Sequence, residues 1–411
     1  MRQILAVLGA RIHQSYCVVA LMVGVVFGMA MVVFFRVQIA WSPWMVVAIL
    51  GLLFVAFIYP KTLFLILAFT AGVLISFLRA SGVDLNENVT EMGQIRFIGE
   101  FQSEMAAKIR ENIGDERAAT LGLSYLLGMK GELSVSMSEL LRVVGLSHIV
   151  VASGTHLSII VEGCRKIFGR VSRFSGLLFS LVLIFLFGAM IGWTPSIMRA
   201  AIVSSLTISM WYVGRKWEPL RLIIITMALT LLVEPRWMAN VGWQLSFAAY
   251  AGIMLLAPII KEFLILDKNK KTFLNNIKEV LIASVAASIM CLPISLYYFG
   301  SFSLLALPAN LLILPTMPMV MGATLLSGMM AFWPVVAKAF GWVARVMIEF
   351  HILIIEWLGE KKMFLFTIEK YQPGVWLIFV PIFLLILWSY VRRRRQRQEP
   401  LRQPHRKRAQ Y

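Results

Sequence analysis

The sequence predicts an all-α, polytopic integral membrane protein, and three observations predict it. Of 411 residues, 59% are hydrophobic and only 15% charged, with a mean hydropathy of +0.80. Apolar runs of roughly 20 residues, the length that crosses a bilayer, recur along the chain. Only one sizeable polar stretch interrupts them. A soluble core of ordinary density cannot hide so much apolar surface, whereas lipid accepts helices with no polar outer face. A water-soluble protein is excluded.

The first apolar run, Tyr16 to Phe35, follows Arg2 and Arg11 and is too long for a signal-peptide core, so it reads as an uncleaved first span. Further runs cover Trp41 to Tyr59 and, after the Tyr59-Pro60-Lys61 break, Thr62 to Leu78. Gly24 and Gly28 have the GxxxG spacing that serves a homodimer or, more often, packing within one chain. From Arg79 to Lys130 the composition changes to six basic and eight acidic residues. Phe101, Met105, Ile109 and Ile113 form an i, i+4 stripe there, the pattern of an amphipathic helix lying on the membrane or against the bundle. Ser136-Met137-Ser138-Glu139 has capping-box form and predicts a short helix through Val144, ended by Gly145 in a left-handed turn, with Ser147 capping the next helix.

The remaining runs are Leu146 to Val161, Ser175 to Gly192, Ser196 to Val213, Leu220 to Val233, Val241 to Ile260, Val280 to Phe299, Ser303 to Phe332, Val335 to Leu358 and Gly374 to Val391. They bring the expected count to about ten to twelve passes, some broken or re-entrant. The formal charge of +18 concentrates in basic loops and in a tail, Arg392 to Arg408, with nine basic residues against one acid. The positive-inside bias places these loops and both termini in the cytoplasm, and the 79–130 insert outside. Such a tail suits an anionic lipid surface, nucleic acid being the alternative. Cys17, Cys164 and Cys291 show no paired spacing, so neither a disulfide framework nor a zinc knuckle is expected, and no cofactor or metal is called for.

Polar residues enter the apolar segments at a few places. Leu146 to Val161 is short for a span and rich in hydroxyls. On a helix, Ser147, Thr155, Ser158 and Glu162 share one face and Ser153 and His156 the adjacent one, while Gly154 permits a break. A broken helix at membrane depth is tolerated where it lines a cavity or is buried in protein. Arg199 follows Pro195 at the start of a span, where a guanidinium at the bilayer centre costs at least about 2.5–3.5 kcal/mol, so it must snorkel or face water. Gln244 and Ser246 open another span, and Asn310 lies between Pro308 and Pro315, each proline being expected to free a carbonyl one turn earlier, at Leu304 and Leu311.

Four ordered blocks carrying these residues resemble the competence domain of the ComEC family, the membrane channel for DNA uptake in natural transformation. Gly145-Leu146-Ser147-His148 through Ser153-Gly154-Thr155-His156 resembles that family's GLSH…SGLHV segment, with Thr155 in place of the usual leucine. Pro195 to Ala200 resembles its PSxxRA segment, Gly242 to Ala249 its GFQLSFxA segment, and Asn310 to Pro315 its NLLxxP segment.

The resemblance implies N-terminal transmembrane helices over 1–78, a short polar extracytoplasmic linker over 79–100, and a competence domain over 101–358. A C-terminal transmembrane helix over 359–391 and a basic cytoplasmic tail over 392–411 complete the expected organisation. Neither the OB-type nor the metallo-β-lactamase-like domain of many members is expected, since the free stretch is too short for one and no His-x-His occurs for the other. The implied function is translocation of single-stranded DNA across the cytoplasmic membrane, without enzymatic activity. The candidate lining is Ser147, His148, Ser153, Gly154, Thr155, His156, Ser158, Pro195, Arg199, Gln244, Ser246, Asn310 and Pro315. Implied partners are the bilayer, single-stranded DNA, an extracytoplasmic DNA receptor, a separate nuclease and a cytoplasmic ATPase motor, since no Gly-Lys dipeptide and hence no Walker A loop is present. Two other readings compete. One is a secondary transporter with a midplane site at 146–162 and Glu162 or His156 as proton carrier; the other is an intramembrane hydrolase using Ser147 or Ser153 with a histidine.

Overall fold

A computed structural model describes residues 14–35, 63–80, 83, 96–147, 154–215, 218–264, 273–360 and 365–367. The expected runs at 41–59 and 374–391 and the basic tail lie outside the described residues. In chain order the helices are α1 Gln14–Phe35, α2 Leu63–Ala80, α3 Arg96–Ile113, α4 Glu116–Leu127, α5 Val135–Val144, α6 Gly154–Phe168, α7 Arg173–Ile191 and α8 Pro195–Tyr212. They continue as α9 Pro219–Val233, α10 Val241–Ala251, α11 Ala257–Phe263, α12 Phe273–Phe299, α13 Ala306–Ile313, α14 Met317–Met329 and α15 Pro334–Gly359. Two three-residue strands, β1 Ser301–Ser303 and β2 Leu365–Thr367, pair antiparallel, Phe302 opposite Phe366.

The protein is an all-α membrane protein. By length and composition, four segments of the described residues can each cross a bilayer: Tyr16–Val33, Arg173–Ile191, Val241–Phe263 and Ile277–Phe299. The third is continuous because a π-helical turn, Gly252–Leu256, joins α10 to α11. A fifth is the pair α13 and α14, bent by 54°. Leu65–Ala80 and Pro219–Val233 are shorter apolar helices.

Four buried clusters organise the described helices, the smallest joining α11 to α12 through Ala257, Ile282 and Ala286. In the largest, α3, α4, α5, α13, α14 and α15 meet through Ile109, Leu123, Leu141, Ile313, Val320 and Ile348. The i, i+4 stripe of the polar insert belongs to it: Met105, Ile109 and Ile113 are buried against the bundle, and only Phe101, at 55% exposure, points outward. Helix α4 is buried along nearly its whole length, from Ala118 to Leu127, so the insert folds onto the domain core. A Cβ on Gly341 would collide with the Asn112 carbonyl oxygen, and Asn112 Nδ2 donates to the Ser327 carbonyl at 2.9 Å, so α3 seats tightly on α14 and α15.

The second cluster joins α1, α2, α9 and α10 around Met29, Leu231, Trp237 and Phe247. Here the two glycines of the first span are occupied within the chain. A Cβ on Gly24 would collide with the Phe69 carbonyl oxygen, and one on Gly28 would lie 3.0 Å from Val73 Cα. Their spacing serves packing of α1 on α2, and no homodimer argument rests on it. Arg79 ends α2 by donating to the Leu232 and Val233 carbonyls at 2.9 and 2.8 Å, satisfying acceptors at the C-terminus of α9. The third cluster joins α6, α7 and α8 through Leu157, Ile184, Ile197 and Ala200.

Two local expectations are corrected. Helix α5 begins two residues earlier than the Ser136 capping box suggests, because the Ser134 hydroxyl accepts the Met137 N–H at 3.2 Å and leaves Ser136 inside the first turn. The Leu304 carbonyl is not freed by Pro308, since it accepts the Leu307 N–H at 3.2 Å; Pro308 stands in the first turn of α13, where prolines cost no ladder bond. The bend falls instead at Leu314–Thr316, beside Pro315.

Candidate functional site

The four sequence blocks occupy connected places in the fold. Gly145 ends α5 in the left-handed region, φ 77°, with its N–H on the Arg142 carbonyl, and Leu146 N–H returns to Leu141 at 2.8 Å. A Cβ there would meet Ala306 Cβ at 2.7 Å, so the front of the first block rests directly on the first turn of α13, which carries the fourth block. Its back half lies on α6, where Leu157, the residue after the block, is buried with Ile197 and Ala200 of the second block on α8 and with the adjoining Ala201. The second block reaches the third through Arg199, whose Nε–H donates to Ser246 Oγ on α10 at 2.6 Å. The order of contact is therefore fourth, first, second, third.

Individual candidates fare differently. Ser147 is exposed and already helical. Helix α6 starts at Gly154. His148 and Ser153 lie outside the described residues, as do the side chains of Thr155, His156 and Ser158. Pro195 is buried at the first position of α8, behind Thr194, whose hydroxyl accepts the Ile197 N–H. Gln244, half-buried, donates from its Nε2 to the Met238 carbonyl at 3.0 Å, fastening α10 to the preceding 3₁₀ turn, Pro235–Ala239. Asn310 is buried, and its Oδ1 has no partner among the described residues. Pro315 is exposed at the α13–α14 bend.

Arg199 is the chemically distinctive member. It is half-buried and pairs with no acid among the described residues. Besides the bond to Ser246, its guanidinium carbon lies 5.1 Å from the centroid of the Tyr250 ring. Ser246 and Tyr250 are one turn apart on α10, so a single helix face offers an acceptor to Nε and a π surface to the guanidinium. Tyr250 escaped the sequence reading although its i, i+4 relation to Ser246 was available; an aromatic at that spacing is indistinguishable from core until its neighbour is known. The same holds for His351, buried on α15, whose Nε2 meets Thr316 Oγ1 at 2.7 Å and ties the bend to α15.

Glu162 lies at the polar end of α6, beyond the apolar stretch, bonded to Arg165 at 2.7 Å with Lys166 at 3.6 Å. The Arg165 guanidinium holds its carboxyl below the usual carboxylate range. A carboxylate kept ionised in this way is a poor carrier for protons near neutral pH. Among the described residues no three His, Cys, Asp or Glu side chains converge as a metal would require.

Comparisons with known proteins identify the family. The chain is 27% identical over 258 residues to ComE operon protein 3 of Bacillus subtilis (strain 168), an alignment covering 59% of this chain and 31% of that protein. The chain thus spans about a third of the length of this relative. No solved structure matches it. The family model described as Competence protein matches residues 125–395, well over half of the chain and including all four blocks. The chain belongs to the competence protein family.

Proposed function

We propose that this chain forms a passage for single-stranded DNA across the cytoplasmic membrane during natural transformation, with both termini in the cytoplasm. The observation that carries the reading is Arg199: a fixed cation at the junction of the second and third blocks, with no carboxylate against it among the described residues. Stationing a guanidinium in an apolar bundle costs at least about 2.5–3.5 kcal/mol. One charge-assisted bond, worth about 1.5–3 kcal/mol, and one cation–π contact, worth about 0.5–2 kcal/mol, offset that cost without cancelling the charge. Such a cation attracts phosphates, and a lone one does so weakly enough for a strand to move on.

An inside-negative potential opposes entry of each phosphate by about 2.3 kcal/mol per 100 mV, so the work of uptake has to come from outside the passage. A cytoplasmic ATPase motor, an extracytoplasmic DNA receptor and a nuclease that degrades the other strand are the partners this reading requires. The solute-transporter alternative is weakened by the ion-paired state of Glu162.

The test is uptake of labelled DNA by cells whose only copy of this protein is Arg199→Ala. Surface-bound DNA should stay at its normal level while label reaching the cytoplasm falls at least ten-fold. Normal uptake at normal protein abundance would refute the assignment.

A further inference from the structure

We infer that Tyr250 is a positioning residue that holds the Arg199 guanidinium ready for the phosphodiester of a passing strand, through its ring and not through its hydroxyl. The inference rests on the proposed passage and deepens it.

Three features of the Arg199 surroundings lead here. First, the only hydrogen bond Arg199 makes among the described residues uses Nε, at 2.6 Å to Ser246 Oγ. The two terminal Nη groups, the paired donors that a phosphate engages, remain uncommitted there. Second, the guanidinium stands over the Tyr250 ring at 5.1 Å, within cation–π range. A long arginine held at one nitrogen alone keeps several rotamers, and a π surface beneath it removes much of that freedom while adding no acceptor that competes with the ligand. An acid in the same place would fix the side chain and also neutralise it. Third, Tyr250 is only 7% exposed, and its hydroxyl is buried with no partner among the described residues. A buried donor without a partner contributes nothing favourable to folding. The ring is therefore the part that acts on Arg199, and the hydroxyl is dispensable.

The ligand chemistry is a phosphodiester, whose paired oxygens match the two uncommitted Nη donors. Two sources supply that group, a nucleic acid strand and a phospholipid headgroup. Among the described residues the Arg199 guanidinium is in contact with Ser246 and Tyr250 and with no second charged side chain, and a single weak contact favours the strand, which presents its phosphates in sequence and needs each one to be released.

The measurement is binding of fluorescein-labelled oligodeoxythymidylate to the full chain in phosphatidylcholine nanodiscs, as a function of salt. Each phosphate contact to a single strand contributes about 0.7 to the slope of log K against log salt. Arg199→Ala and Tyr250→Leu should each lower the slope by about 0.7 and weaken binding about ten-fold, whereas Tyr250→Phe, which keeps the ring, restores both. Tyr250→Met carries the same test if Tyr250→Leu lowers the yield of folded protein. A slope lowered by Arg199→Ala but not by Tyr250→Leu or Tyr250→Met overturns the positioning role and leaves the passage standing. Loss in Tyr250→Phe equal to that in Tyr250→Leu overturns the role of the ring. No effect of Arg199→Ala on slope or uptake overturns the passage reading as well. Retention of phosphatidylglycerol that depends on Arg199, with DNA binding unchanged, assigns the phosphodiester to lipid and overturns the inference.

Discussion

Gly145→Ala tests the joint between the first and fourth blocks, and its cost can be worked from two separate terms. The residue sits at φ 77°, where an L side chain costs about 1–2 kcal/mol. The added methyl would also stand 2.7 Å from Ala306 Cβ and 3.4 Å from Ala306 Cα. Ordinary carbon contacts lie at about 3.5–4.0 Å, so α13 has to retreat by roughly 1 Å, an overpacking cost of about 1–3 kcal/mol. Together the terms predict a loss of about 2–5 kcal/mol. Two other glycines separate them. Gly114 has a similar φ, 68°, with nothing within 4 Å of an added methyl group, so Gly114→Ala should lose only the conformational part, about 1–2 kcal/mol. Gly322, inside α14 with open space around it, should gain about 0.5–1 kcal/mol as alanine. Reversible denaturation of the four proteins in one lipid mixture gives the order directly: Gly322→Ala most stable, then wild type, Gly114→Ala and Gly145→Ala. Equal losses for Gly145→Ala and Gly114→Ala would refute the close approach of the two blocks.

Glu234 and Arg236 form a bidentate pair at 2.8 and 3.0 Å, with the Glu234 side chain 6% exposed; burial pushes that carboxyl up, but pairing with Arg236 outweighs it and the net direction is down. Because the folded value lies below the unfolded one, the pair's stability is fully present above about pH 5 and is lost as pH falls through the lowered value; Arg236→Ala should cost about 3 kcal/mol at pH 7 and flatten this acid limb in unfolding measured against pH. Glu162→Gln should leave the profile of DNA uptake between pH 6 and 8 unchanged, since the wild-type carboxylate is ionised throughout; a shifted profile would favour the proton-coupled transporter.

Element positions were well readable wherever an apolar run was bounded by strong punctuation. The run from Ser175 to Gly192 matches α7, Arg173–Ile191, and that from Ser196 to Val213 matches α8, Pro195–Tyr212, because Pro195 starts one helix and Gly192 stops the other. The prolines of the Ser303 run signalled an interruption but not its place. Pro308 entered a first turn, where a missing N–H changes nothing, and the 54° bend fell beside Pro315. Gln244 and Arg199 looked alike as polar intruders, yet one is spent on the Met238 carbonyl and the other is not paired with an acid among the described residues. Sequence carries which donors exist; their acceptors come from helices far away along the chain.

The amino-acid sequence determined by itself that the protein is a helical membrane protein and that four ordered blocks place it in the competence protein family, because both follow from local quantities: apolar run length, caps and ordered motifs. Only the tertiary structure decided that the polar insert closes onto the bundle through Met105, Ile109 and Ile113, that Gly24 and Gly28 serve α2, and that Arg199 rests on Ser246 and Tyr250. Periodicity fixes the face on which a side chain lies, but what covers that face depends on helices distant in sequence. For an arginine this difference separates a neutralised pair from a cation held by a hydroxyl and a ring.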